Sequence, residues 1–498
     1  MFKCARAWAF TIASASLASG CIMDGPFVDE DINRLVSSEQ SVAWAPHGTT
    51  PPKTPLAIPV PAPDASVLAA QREAEASVVG APLLVADPTA KHSLAQCIDY
   101  SLGHSPVTRG DWESARAVAA TVGRADAAYY PDIGLAGSMG PSQYASAPYD
   151  TTQTSGTVSI EMNWVLMDFG RRDADSAKAR AQLQAANYTF NRAMQQLVFG
   201  VQAAYFTLDA KISLRDAARE NVATAKKQLE ATDDRMSVGL ATRPEVLQAR
   251  QQYLQSLYDL EQSKAEVFTA QAALAVAMGL PADRCPDIVA LRDLPLPAGL
   301  DLGVEVAIES ALAQRPDIAS VVATVRALNL AVRRAEADFL PIISFEGAGG
   351  VLGNSFSTTT GSSTTTGDLT TPVYTAQLAA EWLLFDGYER ANVLREARSR
   401  VREAEARLEQ LRLVTTGQVW ASYFDFFSAK KQYEAGVALL TASQDSYDSV
   451  YQSYLNGLAT INDLLVAESF LFDARFELIE SRAQYLTASA TFILALGS

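Results

Sequence analysis

Residues able to do chemistry are scarce in this 498-residue chain. Histidine occurs three times (His47, His92, His104) and cysteine four times (Cys4, Cys21, Cys97, Cys285). No Gly-rich phosphate loop, metal-ligand cluster or nucleophile–base pair is found, so no catalysis, metal or cofactor is expected. One cysteine has a chemistry of its own. Lys3 and Arg6 precede a short apolar run, residues 7–18, which reads as a secretory signal peptide. It ends in Leu17-Ala18-Ser19-Gly20-Cys21, which resembles a bacterial lipobox: small residues admit the signal peptidase and the Cys21 thiol accepts lipid. Ala18 stands where leucine is usual, and ordinary cleavage after Ala15 or Ala18 is the competing reading. Ile22, rather than Asp, favours sorting to the outer membrane. Residues 1–20 are then a signal peptide and 21–91 a lipid-anchored tether, with seven prolines between Pro46 and Pro63.

Charge and hydropathy exclude two classes. Lys plus Arg is 40 and Asp plus Glu is 56, a net charge of −16, or −18 once Lys3 and Arg6 are removed. A nucleic-acid binder would need a clustered basic face. Hydrophobic residues make up 48%, yet beyond the N-terminus no apolar run approaches the ~18–20 residues of a spanning helix. An inner-membrane pump is excluded, while insertion as β-strands is not.

The remainder reads as one unit written twice. Arg124-Ala125-Asp126-Ala127-Ala128-Tyr129-Tyr130-Pro131 matches Arg334-Ala335-Glu336-Ala337-Asp338-Phe339-Leu340-Pro341, at an offset of 210. Trp164-Val165-Leu166-Met167-Asp168 matches Trp382-Leu383-Leu384-Phe385-Asp386 at 218, and that offset persists through Gly239/Gly457 to Gly279/Gly497. The boundaries are 92–285 for the first repeat, 286–301 for a linker and 302–498 for the second. The eight extra residues of the second repeat lie between Pro341 and Trp382, where the Ser/Thr/Gly-rich stretch 355–367 reads as a surface loop.

Each repeat predicts helix, two strands, a long helix, a tight hairpin and a return helix. Val158, Ile160, Met162, Trp164 and Leu166 alternate with a second, more polar set, as do Tyr374 to Leu384. Long helices follow over about 171–238 and 388–456 without a proline. Phe190, Met194, Leu197, Val201, Ala204 and Leu208 keep a heptad, and ~68 residues make a rod of ~100 Å. Gly239 and Gly457 close the rods. Thr242 with Glu245, and Thr460 with Asp463, predict capping boxes that restart the chain as helices. Four amphipathic strands cannot close a barrel, and open edges are not tolerated in a bilayer. Three copies supply 12 strands with a usable lumen, although the arithmetic leaves other counts open.

Across about residues 93–498 the chain resembles the TolC-type outer-membrane efflux protein family. The resemblance rests on the duplicated element order and on Ala311-Leu312…Arg315-Pro316-Asp317-Ile318, Phe339-Leu340-Pro341, Leu384-Phe385-Asp386-Gly387 and Val238-Gly239-Leu240-Ala241-Thr242. It implies a mainly α fold with β: a trimeric channel-tunnel with four strands per chain, a 12-stranded transmembrane barrel continuous with a periplasmic helical barrel. It implies an exit duct of the bacterial outer membrane for efflux or type I secretion. The implied partners are a homotrimer, a periplasmic adaptor (membrane fusion) protein, an inner-membrane transporter and outer-membrane lipid. The tips Gly239, Leu240, Ala241, Thr242 and Gly457, Leu458, Ala459, Thr460 match its adaptor-docking ends, though capping alone also explains the Gly and Thr. Tyr454 and Asp463 match pore-constricting positions. The family's second aspartate is Val466 here, so a double acidic ring is not expected. Arg243 is a candidate partner for Asp463 in a closed state. In this fold Cys97 and Cys285 fall near the tunnel's equator in an oxidising compartment, where a disulfide or two buried thiols are the alternatives. Trp164 and Trp382 end matched strands, as interfacial anchors or as core. A periplasmic coiled-coil scaffold is the rival reading: it suits the heptads but not the strand pairs.

Overall fold

The structure, a computed structural model, describes residues 35–37, 39–46, 91–146, 149–291, 303–360 and 362–497. The signal peptide, Cys21 and most of the expected tether lie outside them. Helices α1 (Leu94–His104) and α2 (Pro106–Ala127) lead into β1 (Asp132–Ser146) and β2 (Tyr149–Met167). The long α3 (Arg171–Ser237) and its return α4 (Arg243–Ala277) follow. The same order then recurs as α5 (Val304–Gln314), α6 (Pro316–Ala337), β3 (Ile342–Thr360), β4 (Ser363–Glu381), α7 (Glu389–Leu455) and α8 (Ile461–Leu496). Both α3 and α7 have 67 residues, about 100 Å at 1.5 Å per residue. Among the described residues no helix is long and apolar enough to cross a membrane.

The four strands form one antiparallel sheet in the order β1-β2-β3-β4, and among the described residues no strand pairs with the outer edge of β1 or β4. The expected loop over 355–367 is a correction: it is strand, and β3 turns into β4 between Thr360 and Ser363. The extra residues lengthen the hairpin instead of looping out, because threonine fits the pleated ladder well. Rungs of the register carry one chemistry across the whole sheet. Ile133, Met162, Gly347 and Ala376 share a rung, as do Leu135, Ile160, Gly349 and Tyr374, and Gly137, Val158, Val351 and Pro372. The intervening rungs run Asp132, Asn163, Glu346, Gln377 and Gly134, Glu161, Ala348, Thr375. One face is thus continuously apolar and exposed, with Leu135 at 77% and Tyr374 at 80% accessible. The other is polar, and there Gln377 Nε2 donates to Glu346 Oε2 at 2.8 Å. The apolar rungs from Gly156 to Trp164 extend over about the 9–11 residues that a tilted strand needs to cross a bilayer.

Each strand-to-helix joint is a clamp built twice. The chain passes through two left-handed residues, Phe169–Gly170 and Gly387–Tyr388. Asp168 Oδ2 then accepts from the Arg172 backbone N–H and Nε, both at 2.9 Å. Asp386 does the same for Arg390, at 3.1 and 2.6 Å. Trp164 and Trp382 are exposed at the sheet base and not in a core. Their Nε1 groups donate at 3.0 Å to Tyr129 O and Phe339 O, tying each strand to the preceding helix.

Buried contacts concentrate where α1 and the start of the linker meet α3, α4 and α8, around Val201, Tyr205, Phe206, Leu208, Leu274 and Met278. Phe190, Met194, Val201 and Leu208 of the predicted heptad are buried. Tyr205 Oη donates to Val289 O at 2.6 Å, and residues 288 and 92 form a parallel bridge. A second correction concerns the tether. Within it, residues 35–46 are docked on α2 and α3 wherever they are described. Asn191 binds the Trp44 backbone at both ends, accepting its N–H and donating to its carbonyl at 2.8 Å. Trp112 Nε1 donates to Ser37 O, and Val36 is buried among Ala115, Ala119, Val122 and Leu183.

Candidate functional site at the hairpin tips

The two hairpins turn where the glycines predict. Gly239 (φ +78°) and Gly457 (φ +74°) are left-handed. Leu240 N–H bonds Arg235 O at 2.8 Å and Gly239 N–H bonds Met236 O at 3.0 Å. Leu458 and Gly457 repeat this on Ser453 and Tyr454, at 2.8 and 3.0 Å. This is the Schellman closure, which satisfies the last carbonyls of each rod. It leaves Leu240 and Leu458 standing out, 68% and 83% accessible.

The restarts differ. Thr460 and Asp463 form a full capping box: Thr460 Oγ1 accepts from Asp463 N–H, and Asp463 Oδ2 accepts from Thr460 N–H and hydroxyl, at 2.9 and 2.7 Å. Those bonds from Thr460 hold the Asp463 carboxyl below the ordinary carboxylate range. The expected box at Thr242 is a correction. Its hydroxyl donates to Glu245 Oε1 at 3.1 Å, so no side chain caps α4. The Arg243–Asp463 pair is also absent: Asp463 is committed to Thr460, and among the described residues exposed Arg243 joins no ion pair.

What holds the two hairpins together is a residue that sequence reasoning missed. Arg235, in the last turn of α3, reaches the end of α7. Its Nη1 donates to Tyr454 O at 2.7 Å and Leu455 O at 3.0 Å. Its guanidinium lies 4.6 Å from the centroid of the Tyr454 ring. Tyr454 is 2% accessible, and its hydroxyl donates to Thr232 Oγ1 at 3.3 Å. A cation thus sits against the carbonyl end of the α7 dipole, the favourable sign. The tie joins the free ends of two rods about 100 Å from the sheet. A lone basic residue in a last turn reads locally as serving its own helix, and nothing in the sequence points to a partner 219 residues away.

Cys97 and Cys285 are both free thiols, so of the two alternatives the structure shows no disulfide. Cys97 is turned into the α1–α3–α4 core, and Cys285 Sγ bonds Pro286 O at 3.4 Å. Burial, and secondarily Cys285, pushes the Cys97 thiol up to about 12, while burial and Asp287 push Cys285 to about 11.

Comparison with known proteins agrees with this architecture. Protein CyaE of Bordetella pertussis is 27% identical over 407 residues, which is 81% of this chain and 84% of CyaE. Outer membrane efflux protein BepC of Brucella suis is 24% identical over 376 residues, 75% of this chain and 78% of BepC. Among solved structures, outer membrane protein VceC from Vibrio cholerae matches with a TM-score of 0.70 at 20% identity, covering 81% of this chain and 96% of VceC. The CmeC outer membrane channel of Campylobacter jejuni matches at 0.68 and 17%, covering 81% and 85%. These likenesses show the fold. The model of the outer membrane efflux protein family matches residues 109–280 and 307–498. The chain belongs to the outer membrane efflux protein family.

Proposed function

We propose that three copies of this chain close into a channel-tunnel, with Cys21 lipid-anchored in the outer membrane and the helical tips reaching into the periplasm. The outer-membrane exit-duct activity follows from the family. The observation that carries the assembly is the sheet: four strands with one continuous apolar face and, among the described residues, two unpaired edges. An isolated open sheet leaves backbone donors and acceptors unsatisfied in lipid. Joining β4 of one copy to β1 of the next removes every edge, and three copies give 12 strands around a lumen lined by the polar rungs. The helices supply the matching wall. Leu247, Leu254, Tyr258 and Phe268 form an exposed stripe along α4, and Leu413, Trp420 and Phe424 one along α7. Such stripes suit burial against neighbouring copies.

At the free end, exposed Leu240 and Leu458 with their flanking Gly, Ala and Thr offer the apolar contacts for a periplasmic adaptor protein, which couples the duct to an inner-membrane transporter. Tyr454, Asp463 and Arg235 form the gate region, and small molecules or proteins are the cargo. A scaffold without a pore would leave the apolar sheet face unexplained. The test is native mass spectrometry after detergent extraction. A species of three chain masses supports the assembly. A protein freely soluble as a monomer once its lipid is removed overturns it.

A further inference from the structure

Where the first half of the chain packs on the second, the sheet end of the joint carries a charge cluster. Arg171, the first residue of α3, reaches the turn after α6. Its Nε donates to Ala337 O at 3.2 Å, and its Nη2 to Asp338 O and Leu340 O at 3.2 and 2.8 Å. Asp338 stands between two guanidinium groups: Arg171 Nε lies 3.4 Å from its Oδ1, and Arg334 Nη1 bonds the same oxygen. Arg334 Nε also donates to Asp175 Oδ2 at 2.8 Å. Two arginines and two aspartates thus meet between α3 and α6. Further along the rods Arg192 faces Asp317 at 3.9 Å, and Gln195 Nε2 donates to Gly497 O at 2.7 Å.

The counterparts of these helices, α7 and α2, do not pack on each other among the described residues. The offsets of 218 and 210 say what stands there. Arg171 and Asp175 become Glu389 and Val393, while Arg334 and Asp338 become Arg124 and Ala128. Both acids are lost and one base turns acidic, so the cluster stays neutral. Had position 389 kept an arginine, two cations would meet with no acid between them. The lower level changes in step: Arg192 and Asp317 become Gln410 and Val107, and Gln195 becomes Leu413, with Val107 and Leu413 exposed. Glu389 and Arg124 are exposed too, and neither joins an ion pair or side-chain hydrogen bond among the described residues. The strands keep the same offsets. Asp132 pairs with Asn163, and their counterparts Ile342 and Glu381 pair as well. Trp164 opposite Phe345, and Ile160 opposite Gly349, join the two halves. Their counterparts set Trp382 against Leu135 and Leu378 against Met139, all four exposed. A slip by one residue would set apolar side chains against polar ones.

We infer that each copy joins the next by repeating its own internal joint, with Glu389 at the start of α7 forming an ion pair with Arg124 in α2 of the next copy. The pairing rests on copies closing into a ring, as proposed, and supplies the contact by which one copy selects the next. In the internal joint two guanidinium groups share one carboxylate. Between copies the carboxylate comes from the helix start and meets the one guanidinium that remains. The pair also fixes direction. Its acid lies on the second half and its base on the first, so copies join head to tail, the mode that closes into rings, and not as a two-fold dimer of like halves.

The test is charge reversal in the full chain, read by native mass spectrometry in detergent as the ratio of dissociated to ring species. Glu389→Arg or Arg124→Glu alone sets like charges face to face at every joint and raises that ratio about tenfold or more. The two together return it to within about threefold of wild type. A Glu389 that served only the positive end of its own helix would give no rescue, so a double variant as weak as the singles overturns the pair, as do singles that match wild type. Should the charge variants fail to fold, cysteines read the same joint. Oxidised Leu378→Cys with Met139→Cys links copies covalently, whereas Leu378→Cys with Gly140→Cys, one residue on and facing the other side, leaves them unlinked, as does each single cysteine. Linking by the Gly140→Cys combination alone overturns the joint. A wild-type protein with no ring species overturns ring and joint together; a wild-type ring indifferent to charge and cysteine placement overturns the joint alone.

Discussion

Replacing Arg235 by alanine should free the end of α7 from α3. The side chain gives two bonds from one nitrogen to backbone carbonyls at 2.7 and 3.0 Å, and a ring contact at 4.6 Å. Hydrogen bonds to charged groups contribute about 1.5–3 kcal/mol each. Because both bonds share one nitrogen they count for less than two, and the ring contact of a half-buried arginine adds about 0.5–1 kcal/mol. The loss is therefore about 2–4 kcal/mol, or ~30–1000-fold in the local opening equilibrium. Hydrogen exchange of residues 448–455 measures it in the full chain, and the open fraction of single channels reports the consequence. Arg235→Lys keeps the charge but loses the planar fork and should fall between. Arg243→Ala, at an exposed position whose side chain joins no ion pair among the described residues, should match wild type. Unchanged exchange in Arg235→Ala would refute the tie, and an effect confined to Arg243→Ala would move it to the start of α4, across the same hairpin.

Other outcomes follow from single positions. Gly350→Ala would place a methyl 2.3 Å from Val158 O and 2.7 Å from Ser159 Cα, backbone that cannot yield while β2 and β3 stay paired. A cost of about 1–3 kcal/mol or more and loss of the oligomer on unheated gels are expected. Gly239→Ala and Gly457→Ala meet no atom within 4 Å, so each should cost only the left-handed backbone penalty, about 1–2 kcal/mol in thermal or denaturant unfolding. Asp463 is held below the ordinary range by Thr460, so its cap is complete above the unfolded pKa of ~3.9 and is lost as pH falls through the lower folded value. Asp463→Ala should abolish the acid-side loss of protection at the start of α8. Charge at the exposed tips, as in Leu240→Asp with Leu458→Asp, should weaken adaptor capture while leaving conductance unchanged.

Much of this was legible because it is local and written twice. The rods, their glycine stops and the period-two strands each follow from a pattern within one segment. The rungs needed the register, which pairs β2 with β3 across some 200 residues of sequence. That is why the threonine run read as a loop: composition favoured a turn, and only a partner strand made it ladder. Asp168 and Asp386 stood out in the repeat, but their clamps close on Arg172 and Arg390 four residues on, a pairing visible only once a helix starts at the joint. The tip separated by distance. Thr460 and Asp463 cap within four residues and were readable, whereas Arg235 and Tyr454 join helices far apart in sequence. The docking of residues 35–37 and 39–46 was hidden for the same reason, since Asn191 lies 147 residues from the Trp44 backbone it binds.

Copies of this chain, assembled as proposed, enclose one continuous aqueous passage. Single-channel recording of the purified full chain in a planar bilayer tests it most directly. A water-filled pore gives discrete, long-lived conductance steps, enlarged in Arg235→Ala. Folded, membrane-inserted protein that passes no current in either form would contradict it.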